Sequence, residues 1–190
     1  FTHILRDMAD ARSRGMKLVV VDPVGGFAAS KADEWIPILP GTDTAFALSM
    51  LHVLVNELGL YDEKFLKHRT NAPYLVRPDG RYVRDAKSGK PMIYDAADQK
   101  AKTHDDPKLL DPAIRGGGEG GRPAFELLRE HVAKYPPEKT EEITTIPAKT
   151  LRRIAQEFGE AACVGATKII DGVELPYRPA CVDWAKGPQG

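Results

Sequence analysis

The spacing of the hydrophobic positions changes several times in the first third of the chain, and each change predicts a new element. Residues 1–14 carry apolar side chains at helical spacing and stop before Gly15, which predicts a helix with a glycine C-cap. Residues 16–22 are a valine-rich apolar run, typical of a strand that is buried on both faces of a parallel sheet. Residues 34–39 predict a second strand, which Pro37 confines to an edge or a bulge.

Two helices are predicted after these strands. Residues 43–58 are apolar almost all round, so we expect this helix to be packed between other elements. Residues 61–70 predict a short amphipathic helix that begins at the N-cap Asp62. The order helix, strand, strand, helix is typical of an α/β domain with a parallel sheet, and residues 1–70 are interpreted as its first part.

Residues 71–122 have a different character, because turn-forming residues dominate and apolar periodicity is lost. We interpret this segment as an irregular surface insertion or linker with one hairpin at residues 74–85. The run RGGGEGG at 115–121 is expected to be a plain linker. The alternative is a phosphate-binding loop, but such loops are followed directly by a helix, and Arg122 and Pro123 intervene.

The last third of the chain returns to regular patterns. Residues 123–135 and 147–162 predict amphipathic helices joined by a polar connector, and Asp171-Gly172 predicts a hairpin before a closing strand. These elements, within 123–190, are expected to complete the domain that the first residues begin. The predicted fold is α/β, a Rossmann-like parallel sheet flanked by helices. We expect it to be incomplete at both ends, because the chain looks cut from something longer.

Composition argues against several function classes. The 190 residues contain 27 basic and 27 acidic side chains, and this balance without a basic run argues against a nucleic-acid-binding surface. No stretch approaches the ~18 consecutive apolar residues that a membrane span needs, so membrane insertion is not expected. Cys163 and Cys181 are too few for a metal or disulfide framework and are expected to be buried free thiols. His52 lies on the packed helix and is interpreted as a structural residue.

Two acidic residues stand where ligands bind in parallel α/β sheets. Asp22 ends the first predicted strand, and its carboxylate can accept hydrogen bonds from the 2′- and 3′-hydroxyls of a ribose. The alternative is that Asp22 only caps the turn that follows it. Gly41 lets the backbone approach a ligand, and Thr42 and Asp43 stand at a helix N-terminus, where free amides favour a polar or anionic partner. The Asp43 carboxylate also matches the adjacent donors of a guanine base, whereas the alternative for Thr42 or Asp43 is a helix N-cap.

These motifs together resemble one known family. The stretches RGMKLVVVDP and ADEWIPILPGTDTAFALSMLHVLVNELGLYDEKFL resemble the molybdopterin guanine dinucleotide-binding domain of the DMSO reductase family of molybdenum and tungsten oxidoreductases. ITTIPAKTLRRIAQEF is similar to a later helix of that family, and YRPACVDWAKGPQG to the strand before its cofactor loop. The resemblance points to guanosine-binding positions at Asp22, Pro23, Val24, Gly41, Thr42 and Asp43. The family often has Arg where this chain has Val24, so one cationic contact is missing.

The resemblance implies molybdopterin guanine dinucleotide, with Mo or W, as cofactor. The implied partners are the remainder of the catalytic subunit, together with an iron–sulfur electron-transfer subunit. The family's metal ligand and iron–sulfur cysteines have no counterpart in these 190 residues, so we expect any iron–sulfur cluster outside this segment and no catalysis by the segment alone. Substrate, metal and compartment are left open. The alternatives are a non-catalytic nucleotide-binding module and an α/β scaffold without a ligand.

Overall fold

The computed structural model describes residues 2–117 and 120–183 and combines helices with short strands, consistent with the predicted α/β class. The helices are α1 (Thr2–Ser13), α2 (Asp43–His52), α3 (Glu63–Arg69), α4 (Ala124–Val132), α5 (Pro137–Thr144) and α6 (Ala148–Ala161). The strands are β1 (Val19–Val21), β2 (Glu34–Ile36), β3 (Leu75–Val76), β4 (Met92–Asp95), β5 (Lys100–Thr103), β6 (Arg122–Pro123), β7 (Thr167–Ile170) and β8 (Val173–Pro176). A π-helical segment, Val53–Glu57, continues α2.

β1 and β2 form a parallel pair, the single parallel pairing within the described ranges. Val19 lies opposite Glu34, and Val21 lies opposite Ile36. β2 is shorter than the predicted strand 34–39 and ends immediately before Pro37, because proline has no N–H to continue the ladder. Among residues 2–117 and 120–183, no third strand joins this pair.

The main core lies between this strand pair and the helices. Its buried members are Ile36, Ile38, Phe46, Ile146, Leu151 and Ile154. Val19 and Val21 pack against this cluster but stay half-buried. The prediction that the first strand is buried on both faces is therefore wrong, because the cluster packs against the face that carries Val19 and Val21 and all three residues of β1 stay half-buried.

The helices follow their predicted pattern with one exception. α2 contacts α4, α5 and α6, which confirms that it is packed between other elements. Asp62 caps α3 through a 2.9 Å hydrogen bond that its carboxylate accepts from the Phe65 amide. The polar connector predicted between α4 and α6 is wrong, because it contains α5. This helix buries Pro137, Thr140 and Thr144, short side chains that an apolar periodicity does not register.

Residues 71–122 are more ordered than their turn-rich composition predicts. The expected hairpin is present, with the Val83 amide donating to the Leu75 carbonyl at 2.8 Å. β4 and β5 form a second hairpin that was not anticipated. A second core cluster joins this segment to the helices through Val55, Ala72, Ile114 and Phe125. Residues 118 and 119 of the glycine run lie outside the described residues, so its linker role stays a prediction.

β7 and β8 form the antiparallel hairpin predicted at Asp171-Gly172. Both turn residues have positive φ, 50° and 77°, as a two-residue turn between such strands requires. Residues 177–183 contain no strand, so the predicted closing strand is not found there. The last seven residues of the cofactor-loop stretch, 184–190, lie outside the described residues.

Candidate functional site

Asp22 directly follows the carboxyl end of β1, as the sequence predicted. Its amide donates to the Ile36 carbonyl at 3.2 Å, so it extends the parallel pair by one bond. Its Oδ1 accepts a 2.7 Å hydrogen bond from the Val24 amide, which is the turn cap considered as the alternative role. No hydrogen bond to Oδ2 is found among the described residues. Asp22 is exposed, so one carboxylate oxygen caps the turn and the other faces solvent.

The turn after β1 is supported by Trp35, which the sequence interpretation had not singled out. The indole N–H of Trp35 donates to the Asp22 carbonyl at 2.9 Å. A Cβ at Gly25 would lie 3.2–3.4 Å from three atoms of the Trp35 ring, so glycine lets the backbone lie close to the indole. Pro23 and Val24 are exposed beside this contact. The loop therefore has a defined position while its side chains remain accessible.

The turn before α2 supplies the second half of the site. Gly41 has φ of 79°, a conformation that side chains other than glycine rarely adopt. The Thr42 hydroxyl donates to the Leu39 carbonyl at 2.7 Å and does not cap α2. The half-buried Asp43 side chain forms no hydrogen bond within the described ranges. The N-cap alternative is thus not realised by either side chain, and the first-turn amides of α2 lack a side-chain cap.

Polar contacts fix both ends of the β1–β2 pair. The Leu39 amide donates to the Thr144 carbonyl at 3.1 Å, which ties the exit of β2 to α5. Before β2, Asp33 accepts from the Leu18 amide at 2.7 Å and from Arg12 at 2.7 Å. These two donors, the amide first, lower the pKa of Asp33. Because β1 and β2 are parallel neighbours, the predicted residues after each strand leave the pair at the same end.

His52 contacts polar side chains of the same helical segment, whereas the two cysteines are free thiols. His52 lies 3.5 Å from the Glu57 carboxylate and 3.4 Å from Asn56, which fits its predicted structural role. Cys163 and Cys181 are free thiols, but Cys163 is half-buried and Cys181 is exposed, so the prediction that both are buried is wrong. Within residues 2–117 and 120–183, no group of three or more potential metal ligands converges, and no helix is long and apolar enough to span a membrane.

No protein-family model matches this chain. Its sequence is similar to subunits of dehydrogenases and reductases. It is 34% identical over 173 residues to a sulfite dehydrogenase subunit of Allochromatium vinosum, covering 82% of this chain and 18% of that protein. It is 34% identical over 212 residues to the alpha subunit of perchlorate reductase of Dechloromonas aromatica, covering 85% and 23%. It is 35% identical over 173 residues to the alpha subunit of dimethylsulfide dehydrogenase of Rhodovulum sulfidophilum, covering 80% and 19%.

The fold has a solved counterpart in acetylene hydratase from Pelobacter acetylenicus. The two share a TM-score of 0.54 and 26% sequence identity over 95% of this chain and 15% of that one. The chain spans 18%, 23% and 19% of the length of the three sequence relatives. The resemblance inferred from the sequence motifs is confirmed by these matches, and the chain belongs to the DMSO reductase family of molybdenum and tungsten oxidoreductases.

Proposed function

We propose that this chain is part of the catalytic subunit of a bis-molybdopterin guanine dinucleotide oxidoreductase and binds the guanosine end of the cofactor. Asp22 accepts hydrogen bonds from the ribose diol, and Asp43 accepts from the guanine edge. When bound, the metal and its dithiolenes supply the redox or oxygen-transfer chemistry, while residues of this chain orient the nucleotide tail. β1 and β2 then belong to a wider Rossmann-like sheet completed by other strands of the subunit.

The α2 N-terminus supports this proposal most directly. The Asp43 carboxylate has no described hydrogen-bond partner, and the Thr42 hydroxyl is committed to the Leu39 carbonyl. Acceptor oxygens and uncapped amides therefore lie together beside Gly41, where no side chain blocks a ligand. A nucleotide can use both kinds of group, because guanine offers donors and its phosphates are anionic. The open Asp22 Oδ2 at the end of β1 fits the same ligand.

The test is cofactor retention by Asp22→Asn and Asp43→Asn in the full-length enzyme. Asn at position 22 keeps Oδ1 for the Val24 amide, so it separates ligand binding from turn capping. Losing one acceptor leaves cofactor donors unpaired at a cost of about 1–3 kcal/mol, or about tenfold to a hundredfold in affinity. Metal and pterin content should therefore fall under limiting cofactor, and activity should fall with it, while turnover per bound metal stays nearly unchanged.

Asp106→Asn is the matched control. In the natural protein, the Asp106 carboxylate accepts a 2.8 Å hydrogen bond from the Lys108 amide. This contact repeats the turn-cap geometry of Asp22 at a distant place in the sequence. This variant should keep full cofactor content. Full metal and pterin content in both Asp22→Asn and Asp43→Asn would contradict the proposed nucleotide contacts. Asp22 would then serve only as the turn cap. Binding of GDP with no pterin in the natural protein would instead favour the non-catalytic nucleotide-binding module.

A further inference from the structure

The hairpin β7–β8 has one face that is apolar apart from Lys168 and one mixed face. Residues directly opposite in an antiparallel pair share a face, and Ile170 pairs with Val173 while Lys168 pairs with Leu175. Tyr177, two residues beyond Leu175, extends the same side. The docking face is defined by Ile170, Val173, Leu175 and Tyr177, which are 49%, 56%, 42% and 40% exposed.

The opposite face of the hairpin differs in chemistry. It presents Thr167 and Glu174, diagonal neighbours whose side chains share a 2.7 Å hydrogen bond. Ile169 is its one large aliphatic side chain and is 72% exposed. A two-stranded hairpin by itself is marginally stable in water, and a cluster of exposed apolar side chains marks an interaction surface. The docking face is therefore the side of the hairpin that gains most from being covered.

The base of the hairpin is held firmly, which gives the docking face a fixed position. The Arg178 guanidinium donates to the carbonyls of Cys163 at 3.2 Å and Ala166 at 3.0 Å, and it pairs with the Asp62 carboxylate. The Tyr177 amide donates to the Ala166 carbonyl at 2.9 Å. These contacts tie the hairpin to the end of α6 and the start of α3. Its strands project from this anchor with every residue exposed.

We propose that the docking face is covered by an apolar surface of the same catalytic-subunit polypeptide, outside these 190 residues. The inference rests on the proposed function, and the lengths of the relatives support it. The matched regions make up 18%, 23% and 19% of three sequence relatives and 15% of the acetylene hydratase chain. By the lengths of these relatives, most of such a polypeptide lies outside the matched region. Such a surface acts at an effective concentration of roughly millimolar, whereas a second copy or another protein must bind from solution.

The charge at the edge of the face defines the partner surface further. The Lys168 ammonium group lies 5.7 Å from the centroid of the Tyr177 ring, so one positive charge borders the apolar cluster. A complementary surface is therefore apolar at its centre and carries a carboxylate or carbonyl oxygen opposite Lys168. This chemistry distinguishes it from a basic partner, which Lys168 would repel.

The test places a photo-crosslinking amino acid at position 173 or, as matched control, at position 169 of the full-length holoenzyme. The two positions lie on opposite faces of one hairpin, and both are more than half exposed in this chain. Position 173 should give at least about tenfold more crosslinked product than 169, joined to a peptide of the same polypeptide outside residues 1–190. Crosslinks from 173 to a different polypeptide, to a second copy or only within residues 1–190 would overturn the proposal, as would equal yields at both positions.

A second measurement covers the case in which the crosslinker disturbs folding. Val173→Lys should lower the thermal midpoint of the full-length subunit by several degrees, while Ile169→Lys should leave it unchanged. Equal effects of the two variants would contradict a docked face. Cofactor content of the Asp22→Asn and Asp43→Asn variants is an independent readout. If those variants keep their cofactor, the crosslink still identifies the occupant of the docking face, so failure of one proposal is distinguishable from failure of the other.

Discussion

Leu75→Ala tests whether residues 71–122 are an integral part of the folded domain. Leu75 lies in β3 opposite Pro123 of β6 and has no solvent exposure. The substitution removes three buried carbon groups, which costs about 2.4 kcal/mol at roughly 0.8 kcal/mol each. The cavity that remains raises the expected loss of unfolding free energy to about 3–5 kcal/mol. A loss of this size is a large part of the stability of a typical domain.

The measurement is urea unfolding followed by far-UV circular dichroism. With a slope of about 1–3 kcal/mol per molar urea, the midpoint should fall by on the order of 1 M or more. Leu110→Ala is the control within the same segment, because Leu110 is 72% exposed and its truncation should cost less than about 0.5 kcal/mol. Equal midpoints for the two variants, with the slope unchanged, would show that β3 does not unfold together with the rest of the domain and would refute the reasoning.

Two further predictions concern buried polar and backbone contacts. The Lys102 ammonium, followed by backbone amides, holds the pKa of the buried Asp95 well below its usual range, so the stability this gives is present above about pH 4 and is lost as the pH falls further. Asp95→Asn should therefore flatten the decline in unfolding free energy between roughly pH 4 and pH 2, measured by urea titrations, and an unchanged slope would contradict this. Gly121→Ala should destabilise by about 1–3 kcal/mol in thermal melts, because its Cβ would lie 3.0 Å from the Val76 carbonyl oxygen. Gly26→Ala is its control, since the nearest atom there is 3.9 Å away, and equal melting temperatures would show that the backbone relaxes freely.

The sequence predicted an element well wherever an apolar stripe or a special backbone residue defined it. Residues 147–162 place Leu151, Ile154 and Ala155 at helical spacing, and the structure buries all three in α6. The dipeptide Asp171-Gly172 predicted its hairpin because Asp and Gly readily adopt the positive φ that a two-residue turn requires. Both residues have positive φ in the structure. α5 was not predicted, because its buried positions are occupied by proline and threonine and therefore show no apolar periodicity. The half-burial of β1 was not predicted, because a valine run shows that the side chains are apolar but not which elements pack against each face of the strand.

At the candidate site, the local contacts were predictable and the long-range ones were not. The turn cap of Asp22 spans two residues and follows from the sequence around it. Trp35 donates to Asp22 across 13 positions, and Arg178 pairs with Asp62 across 116. No local pattern encodes such contacts, because they depend on how the strands and helices pack. The tryptophan and the arginine were therefore missed although each fixes a segment for which a binding role is proposed.

The distribution of burial separates binding from stability in this chain. Several fully buried side chains, such as Leu151 and Val132, lie in helices, whereas Asp22 and every residue of β7 and β8 are exposed. Substitutions at exposed positions usually change the unfolding free energy by less than about 0.5 kcal/mol. A loss of cofactor in Asp22→Asn is therefore not expected to result from unfolding of the helical core. The proposed contacts lie at the end of β1, at the N-terminus of α2 and on the β7–β8 hairpin, outside the buried core.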